Sequence, residues 1–154
     1  MRVRIEMTDE GSDEVVIHCR KITPEIEELV HRIGQRDKSR AQLTFFKGEE
    51  QYYPSLDEIL FFETENERVY AHTCKDSFEI RQNLRELSTI LPNYFVRISK
   101  STIANILHIF SMQKGIARVC HVTFRGTHKE VYVSRMYANV LKEKMEERHL
   151  YEKT

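Results

Sequence analysis

After Arg40 the sequence breaks into short apolar runs separated by turn chemistry, a texture that few folds accept. Residues 43–46 (Leu-Thr-Phe-Phe) precede the turn Lys47-Gly48-Glu49-Glu50 and then Gln51-Tyr52-Tyr53. Residues 59–62 (Ile-Leu-Phe-Phe) lead to a polar turn at 64–67 and into 69–73, and Cys74-Lys75-Asp76-Ser77 leads into Phe78-Glu79-Ile80. Tyr94-Phe95-Val96-Arg97-Ile98 reads as another strand, and residues 103–109 fit either strand or turn. Met112-Gln113-Lys114-Gly115 reads as a hairpin turn into 117–123, and Arg125-Gly126-Thr127-His128 as another turn into Glu130-Val131-Tyr132-Val133. One helix interrupts the series. Asn83, with Glu86 three residues on, forms a capping-box pattern; Leu84, Leu87 and Leu91 line one side, and Pro92 stops it. Ser134 starts a terminal helix to about Tyr151, with Tyr137, Val140, Leu141 and Met145 as its inner side. Residues 40–134 are therefore mainly β, in sandwich-like or barrel-like packing.

The first 40 residues have a different texture. Val3, Ile5 and Met7 alternate, as do Val15, Ile17 and Cys19, with turn chemistry at residues 9–13; this predicts two strands. Thr23-Pro24 then opens a helix over 24–35: threonine caps well, and proline suits the first helical position. Ile26, Leu29, Val30 and Ile33 form one apolar stripe, and Gly34 is a natural stop. The polar run at 36–40 is the boundary between a strand-strand-helix extension (1–40) and an α+β domain (41–154).

Charge is balanced overall and unbalanced along the chain. Residues 1–80 hold 11 Lys/Arg and 18 Asp/Glu, a net of −7, whereas residues 81–154 hold 13 and 6, a net of +7. Between residues 93 and 135 seven cations stand against Glu130 alone. Such a field suits a polyanion; the alternative is that the two halves attract each other, within a chain or between copies.

No glycine-rich phosphate loop, nucleophile elbow or zinc-protease motif occurs, so no catalytic set and no cofactor is nominated. His18-Cys19 and Cys120-His121 are neighbours that point to opposite faces of a strand, so neither pair chelates a metal by itself. Three scattered cysteines argue against a disulfide framework and for a reducing, cytoplasmic setting. The apolar runs are too short to span a bilayer, and the first residues lack a signal-peptide core.

One stretch does carry binding chemistry. Arg97-Ile98-Ser99-Lys100-Ser101-Thr102 sets two cations among three hydroxyls just after a strand, a combination suited to phosphate and base-edge hydrogen bonds. Ser134-Arg135 combines a helix N-terminus with an arginine fork. The plain alternatives are an exposed loop lysine and a serine that merely caps a helix.

Four blocks, in order, resemble the LytTR family of DNA-binding domains over residues 51–144. They are Asp57-Glu58-Ile59-Leu60-Phe61-Phe62-Glu63, then Asn83-Leu84-Arg85-Glu86-Leu87, then Tyr94 through Ile106, and lastly Val131-Tyr132-Val133-Ser134-Arg135-Met136-Tyr137. The third is similar to the family's F-x-R-x-x-[KR]-S-x-x-x-N core. The resemblance implies an elongated antiparallel β-fold that binds double-stranded DNA through loops inserted into successive major grooves. Matched here, those loops are 64–68, 99–102 and 134–137. The first is acidic, which leaves Asn66 and Arg68 as its DNA contacts. Lys100, Ser101, Arg135 and Asn66 would read bases. Arg97, Lys114, Arg118, Arg125 and Lys129 would hold phosphates, with Ser99, Thr102, Ser134 and Tyr137 completing the surface. Too few residues precede the β-rich part for a receiver domain. The resemblance therefore points to a stand-alone bacterial regulator, homodimeric at least on DNA and governed by a membrane-protein partner. The acidic extension then serves either as a dimer or partner surface or as simple packing.

Overall fold

The computed structural model describes residues 15–36, 43–114 and 120–151. Helix α1 spans Pro24–Arg36 and runs through Gly34. A glycine costs roughly 1 kcal/mol inside a helix, too little to end one. Strands β1 (Phe45–Lys47) and β2 (Glu50–Tyr52) form a first hairpin. Strands β3 (Phe61–Glu65), β4 (Arg68–His72) and β5 (Ser77–Ile80) form a meander. Helix α2 (Leu84–Ile90) leads to β6 (Phe95–Arg97) and β7 (Thr102–Asn105). Strands β8 (Ile109–Lys114), β9 (Cys120–Phe124) and β10 (Glu130–Val133) precede helix α3 (Arg135–Glu146).

Two antiparallel sheets result, one ordered β2-β1-β5-β4-β3-β7-β6 and the other β10-β9-β8. The expected mainly β, α+β architecture is therefore present. The ladder between β3 and β7 joins segments about forty residues apart, pairing Phe61 with Ala104, Phe62 with Ile103 and Glu63 with Thr102. On one face of the large sheet the register aligns Phe62, Ala71, Phe78 and Ile103, all buried. On the other, the Phe61 ring stacks on Phe124 of the small sheet, with centroids 5.3 Å apart. Leu141 is the fully buried residue of α3, whereas Val140, expected on the inner side, is 46% exposed.

Local signals explain several boundaries. The Asn83 side chain accepts from the Glu86 N–H (2.8 Å) while the Glu86 carboxylate accepts from the Asn83 N–H (3.3 Å), so the anticipated capping box starts α2. Two expectations need correction. The Val15, Ile17 and Cys19 run is largely exposed and in no ladder among the described residues: alternation supplies a face, but a strand also needs a hydrogen-bonding neighbour. Met112, Gln113 and Lys114 are not a turn but the end of β8, paired with Val122, His121 and Cys120. The predicted strand at Val3, Ile5 and Met7, the 37–40 part of the connector, Ala117, Val119 and Arg118 lie outside the described residues.

Asn105, the asparagine of the family-like core pattern, is 1% exposed. Its amide donates to the Ile59 carbonyl (2.9 Å) and its oxygen accepts from the Leu107 N–H (3.0 Å). Asn105→Ala strands both groups, and each stranded buried group costs about 1–3 kcal/mol. We expect its urea midpoint to fall by the equivalent of about 3 kcal/mol at an unchanged slope; a loss below about 1 kcal/mol would contradict this role.

Candidate nucleic-acid interface

Three chain segments meet at one end of the sheets. The first is the β3–β4 hairpin tip. Glu65 pairs with Arg68, so the turn narrows to Asn66 and Glu67, whose φ values of 49° and 64° are both positive. This is the backbone of a type I′ hairpin, which follows the right-handed twist of its strands. Next comes the turn between β6 and β7, where the N–H groups of Ile98 and Ser99 both address the Thr102 carbonyl (3.0 and 3.4 Å). The third is the start of α3. Ser134 is the N-cap, with extended backbone angles and a carbonyl that accepts the Tyr137 N–H (3.0 Å), but its hydroxyl makes no cap bond.

Backbone hydrogen bonds tie the three together. The Thr64 N–H donates to the Ser101 carbonyl (2.8 Å), and the Ser134 N–H donates to the Ile98 carbonyl (3.0 Å). The ladder of the small sheet brings Val133, Cys120 and Lys114 to the same end.

Asn66, Arg68, Lys100, Ser101, Arg135 and Lys114 are exposed here, and Ser99 and Ser134 partly so. Arg68 pairs with Glu79 at 3.3 Å, an exposed contact of little energetic weight that a phosphate can displace. Two predicted site residues turn inward. Thr102 is 3% exposed and belongs to the β7 ladder; Tyr137 is partly buried against the core. Arg97 is also committed: its Nε donates to the Ser99 carbonyl (2.6 Å) and its Nη2 to the Lys100 carbonyl. Sequence reasoning passed over Met136, which is 76% exposed beside Arg135. An apolar residue in the first helical turn next to a basic one was the available signal.

Arg125 and Lys129 are not with the others. They lie at the opposite end of the strands, about 13 Å away along β4. The Arg125 N–H donates to the His108 carbonyl (3.2 Å), and its guanidinium lies 5.7 Å from the Phe110 ring centroid. The Lys129 ammonium donates to the Asp76 carbonyl (2.7 Å), and burial lowers its pKa. Grouping these two with the loop cations fails because sequence distance does not reveal which end of a strand a residue occupies. The extension also meets this far end. Helix α1 lies against residues 148–150, with His149 Nε2 3.9 Å from Glu27, and Arg148 donates to the Ile106 and Ile109 carbonyls (3.3 and 2.9 Å).

The profile of the LytTr DNA-binding domain matches residues 49–146. The chain belongs to the LytTR family. A transcriptional regulator of Staphylococcus aureus strain NCTC 8325, described as HTH-type and uncharacterized, is 26% identical over 137 residues, which are 89% of this chain and 92% of that protein. Its counterpart in strain MSSA476 is 27% identical over 129 residues, covering 84% and 86%. Among solved structures, the LytTr DNA-binding domain of a putative methyl-accepting/DNA response regulator from Bacillus cereus superposes with a TM-score of 0.62 at 18% identity, over 67% of this chain and 95% of that one. The similarity to these regulators extends over more of the chain than the matched domain alone. Although they are described as HTH-type, no two α-helices follow one another directly among the described residues of this LytTR chain. No described helix is long and apolar enough to cross a membrane, and no described cluster of three or more His, Cys, Asp or Glu residues suits a metal.

His72 gives the far end a pH response. Its ring stacks on Phe61 (4.3 Å), its Nδ1 lies 3.5 Å from the Lys129 ammonium, and its Nε2 lies 3.6 Å from Glu63. Desolvation first, then Lys129, lowers its pKa to about 4, so at neutral pH the ring is uncharged and the approach to Glu63 is not an ion pair. An ammonium only donates, so the neutral ring that meets it at Nδ1 carries its proton on Nε2. A depressed histidine pKa means the unfolded chain binds the proton first. The fold thus keeps its full stability above about pH 6.5 and loses it as pH falls toward 4. Glu63, raised by burial, works the other way as pH falls through its folded value. We expect His72→Gln to lose less stability than wild type between pH 7 and 5 in urea titrations; parallel losses would contradict the assignment.

Proposed function

We propose that this LytTR protein is a transcriptional regulator that reads specific double-stranded DNA through loops placed in the major groove. The observation that carries the reading is the pair of backbone bonds, Thr64 to Ser101 and Ser134 to Ile98, which holds the hairpin tip, the β6–β7 turn and the start of α3 at one end. In this reading Lys100, Ser101 and Arg135 address base edges, Asn66 does so from the hairpin tip, and Met136 meets a thymine methyl. Arg68, Lys114 and Arg118 hold phosphates, and the first N–H groups of α3, with Ser134, receive another. Two copies side by side on direct repeats, about one helical turn apart, complete the assembly.

The alternative, acidic and basic halves that meet as complementary modules, fits the structure less well. The halves of the sequence are not halves of the molecule: β3 from the acidic half pairs with β7 from the basic half.

Selection of bound fragments from a random duplex library tests the reading directly. Affinity should fall steeply with salt, with a logarithmic slope near −0.9 per phosphate neutralised. Lys100→Ala and Arg135→Ala should each cost about 1–3 kcal/mol on the selected site and much less on random duplex. Lys129→Ala, at the far end, should change neither affinity nor slope. Equal losses on selected and random DNA would remove the base-reading roles, and a reduced slope in the Lys129 variant would return that residue to the interface.

A further inference from the structure

The Arg97 side chain folds back onto its own loop. Nε takes the Ser99 carbonyl at 2.6 Å and Nη2 takes the Lys100 carbonyl, two consecutive acceptors held by one planar guanidinium. The two flanking carbonyls and the Ser101 N–H are occupied as well. The Ile98 carbonyl receives the Ser134 N–H (3.0 Å), the Ser101 carbonyl receives the Thr64 N–H (2.8 Å), and the Ser101 N–H donates to Ser99 Oγ (3.2 Å). Successive carbonyls of residues 98–101 are thus each engaged: the outer two by neighbouring segments, and the Ser99 and Lys100 carbonyls by Arg97. Ile98 is fully buried, Arg97 and Ser99 are partly buried, and Lys100 and Ser101 are exposed.

We propose that Arg97 is a positioning residue for base reading and not a phosphate contact. By holding the two carbonyls at the crown of the turn, it keeps their partial negative charge off the approaching phosphates and fixes the backbone from which Lys100 and Ser101 project. The inference rests on the proposed DNA reading and sharpens it, because it separates Arg97 from Arg135 by task. A guanidinium suits the first task for a geometric reason. Its donors form a rigid fork that spans two acceptors at once, whereas a lysine ammonium is a compact point charge on a flexible stem. Two bonds from one planar group fix an orientation; a single point charge leaves the turn free to pivot. A base-reading side chain on a pivoting turn loses the fixed geometry on which its discrimination depends.

Arg97→Lys keeps the charge and removes the fork, so it separates the two roles. In the full-length protein, we expect affinity for the selected duplex to fall roughly tenfold, the size of one lost base contact. Affinity for random duplex and the salt slope should stay at wild-type values, with the melting temperature unchanged. In the DNA-free variant, the Ser99 and Ser101 amides, which donate to the Thr102 carbonyl and to Ser99 Oγ, should exchange with solvent faster than in wild type. Arg97→Gln, which also removes the charge, should show the same loss of discrimination. Wild-type discrimination in Arg97→Lys, or unchanged exchange at Ser99 and Ser101, would overturn the proposal. So would Arg97→Gln losing affinity equally on both duplexes with a slope shallower by about 0.9, the mark of a phosphate contact. Wild-type protein that selects no sequence would instead count against the proposed function, while the exchange measurement without DNA would still judge the clamp.

Discussion

Everything at the interface depends on the pairing of β3 with β7. The two strands are distant in the chain, so bringing them together costs loop-closure entropy before any contact is gained. The cost is offset by burial: Phe62, Ile103 and Ala104 are almost fully excluded from solvent along this ladder. Once the ladder forms, its last rung, Glu63 with Thr102, sets the hairpin tip beside the β6–β7 turn, and the Ser134–Ile98 bond brings α3 to the same place. The geometry of the site is thus inherited from the core. Loops positioned in this way lose little further freedom on binding, which favours discrimination over adaptability.

The charge pattern has a different meaning in three dimensions from the one it has along the sequence. An acidic N-terminal half followed by a basic C-terminal half suggests two lobes of opposite sign. The meander and the long-range ladder interleave the halves, so Lys129 ends on the Asp76 carbonyl, and Arg125 is carried to the far end beside Cys74. The cations at the loop end therefore act as a local set on a neutral body. A neutral body adds little long-range steering, so affinity would rest on the few phosphates contacted at close range.

Much of this was legible in the residues because the decisive signals are local. The Asn83–Glu86 capping box, the proline at the start of α1 and the turn at Asn66 and Glu67 each act within a few residues, and a linear reading finds them. The Tyr94–Ile106 block also marked the turn between β6 and β7. Three things were hidden. Lys114 resembled part of a turn because a Met-Gln-Lys-Gly run has the same composition whether or not β9 is there to pair with it. Thr102 resembled a binding hydroxyl because a sequence does not show which face of a strand is covered. Arg97 resembled a free cation because its acceptors are backbone carbonyls, which have no signature in the sequence.

These hidden features divide the family-like core pattern into two kinds of residue. Phe95 and Asn105 are buried and serve the fold, and Arg97 serves the shape of the turn. Lys100 and Ser101 stand exposed at the crown, and Arg135 stands exposed at the start of α3. A substitution in the first group acts through stability or turn geometry and not through a lost contact to a base. In the proposed reading, a substitution at Lys100 or Arg135 changes the hydrogen bonds offered to a base edge while leaving the carbonyl-clamped backbone in place. In that reading the scaffold can acquire a new preferred sequence without being refolded. That separation is possible because the turn's carbonyls are bonded within the protein and make no demand on the side chains exposed at the crown.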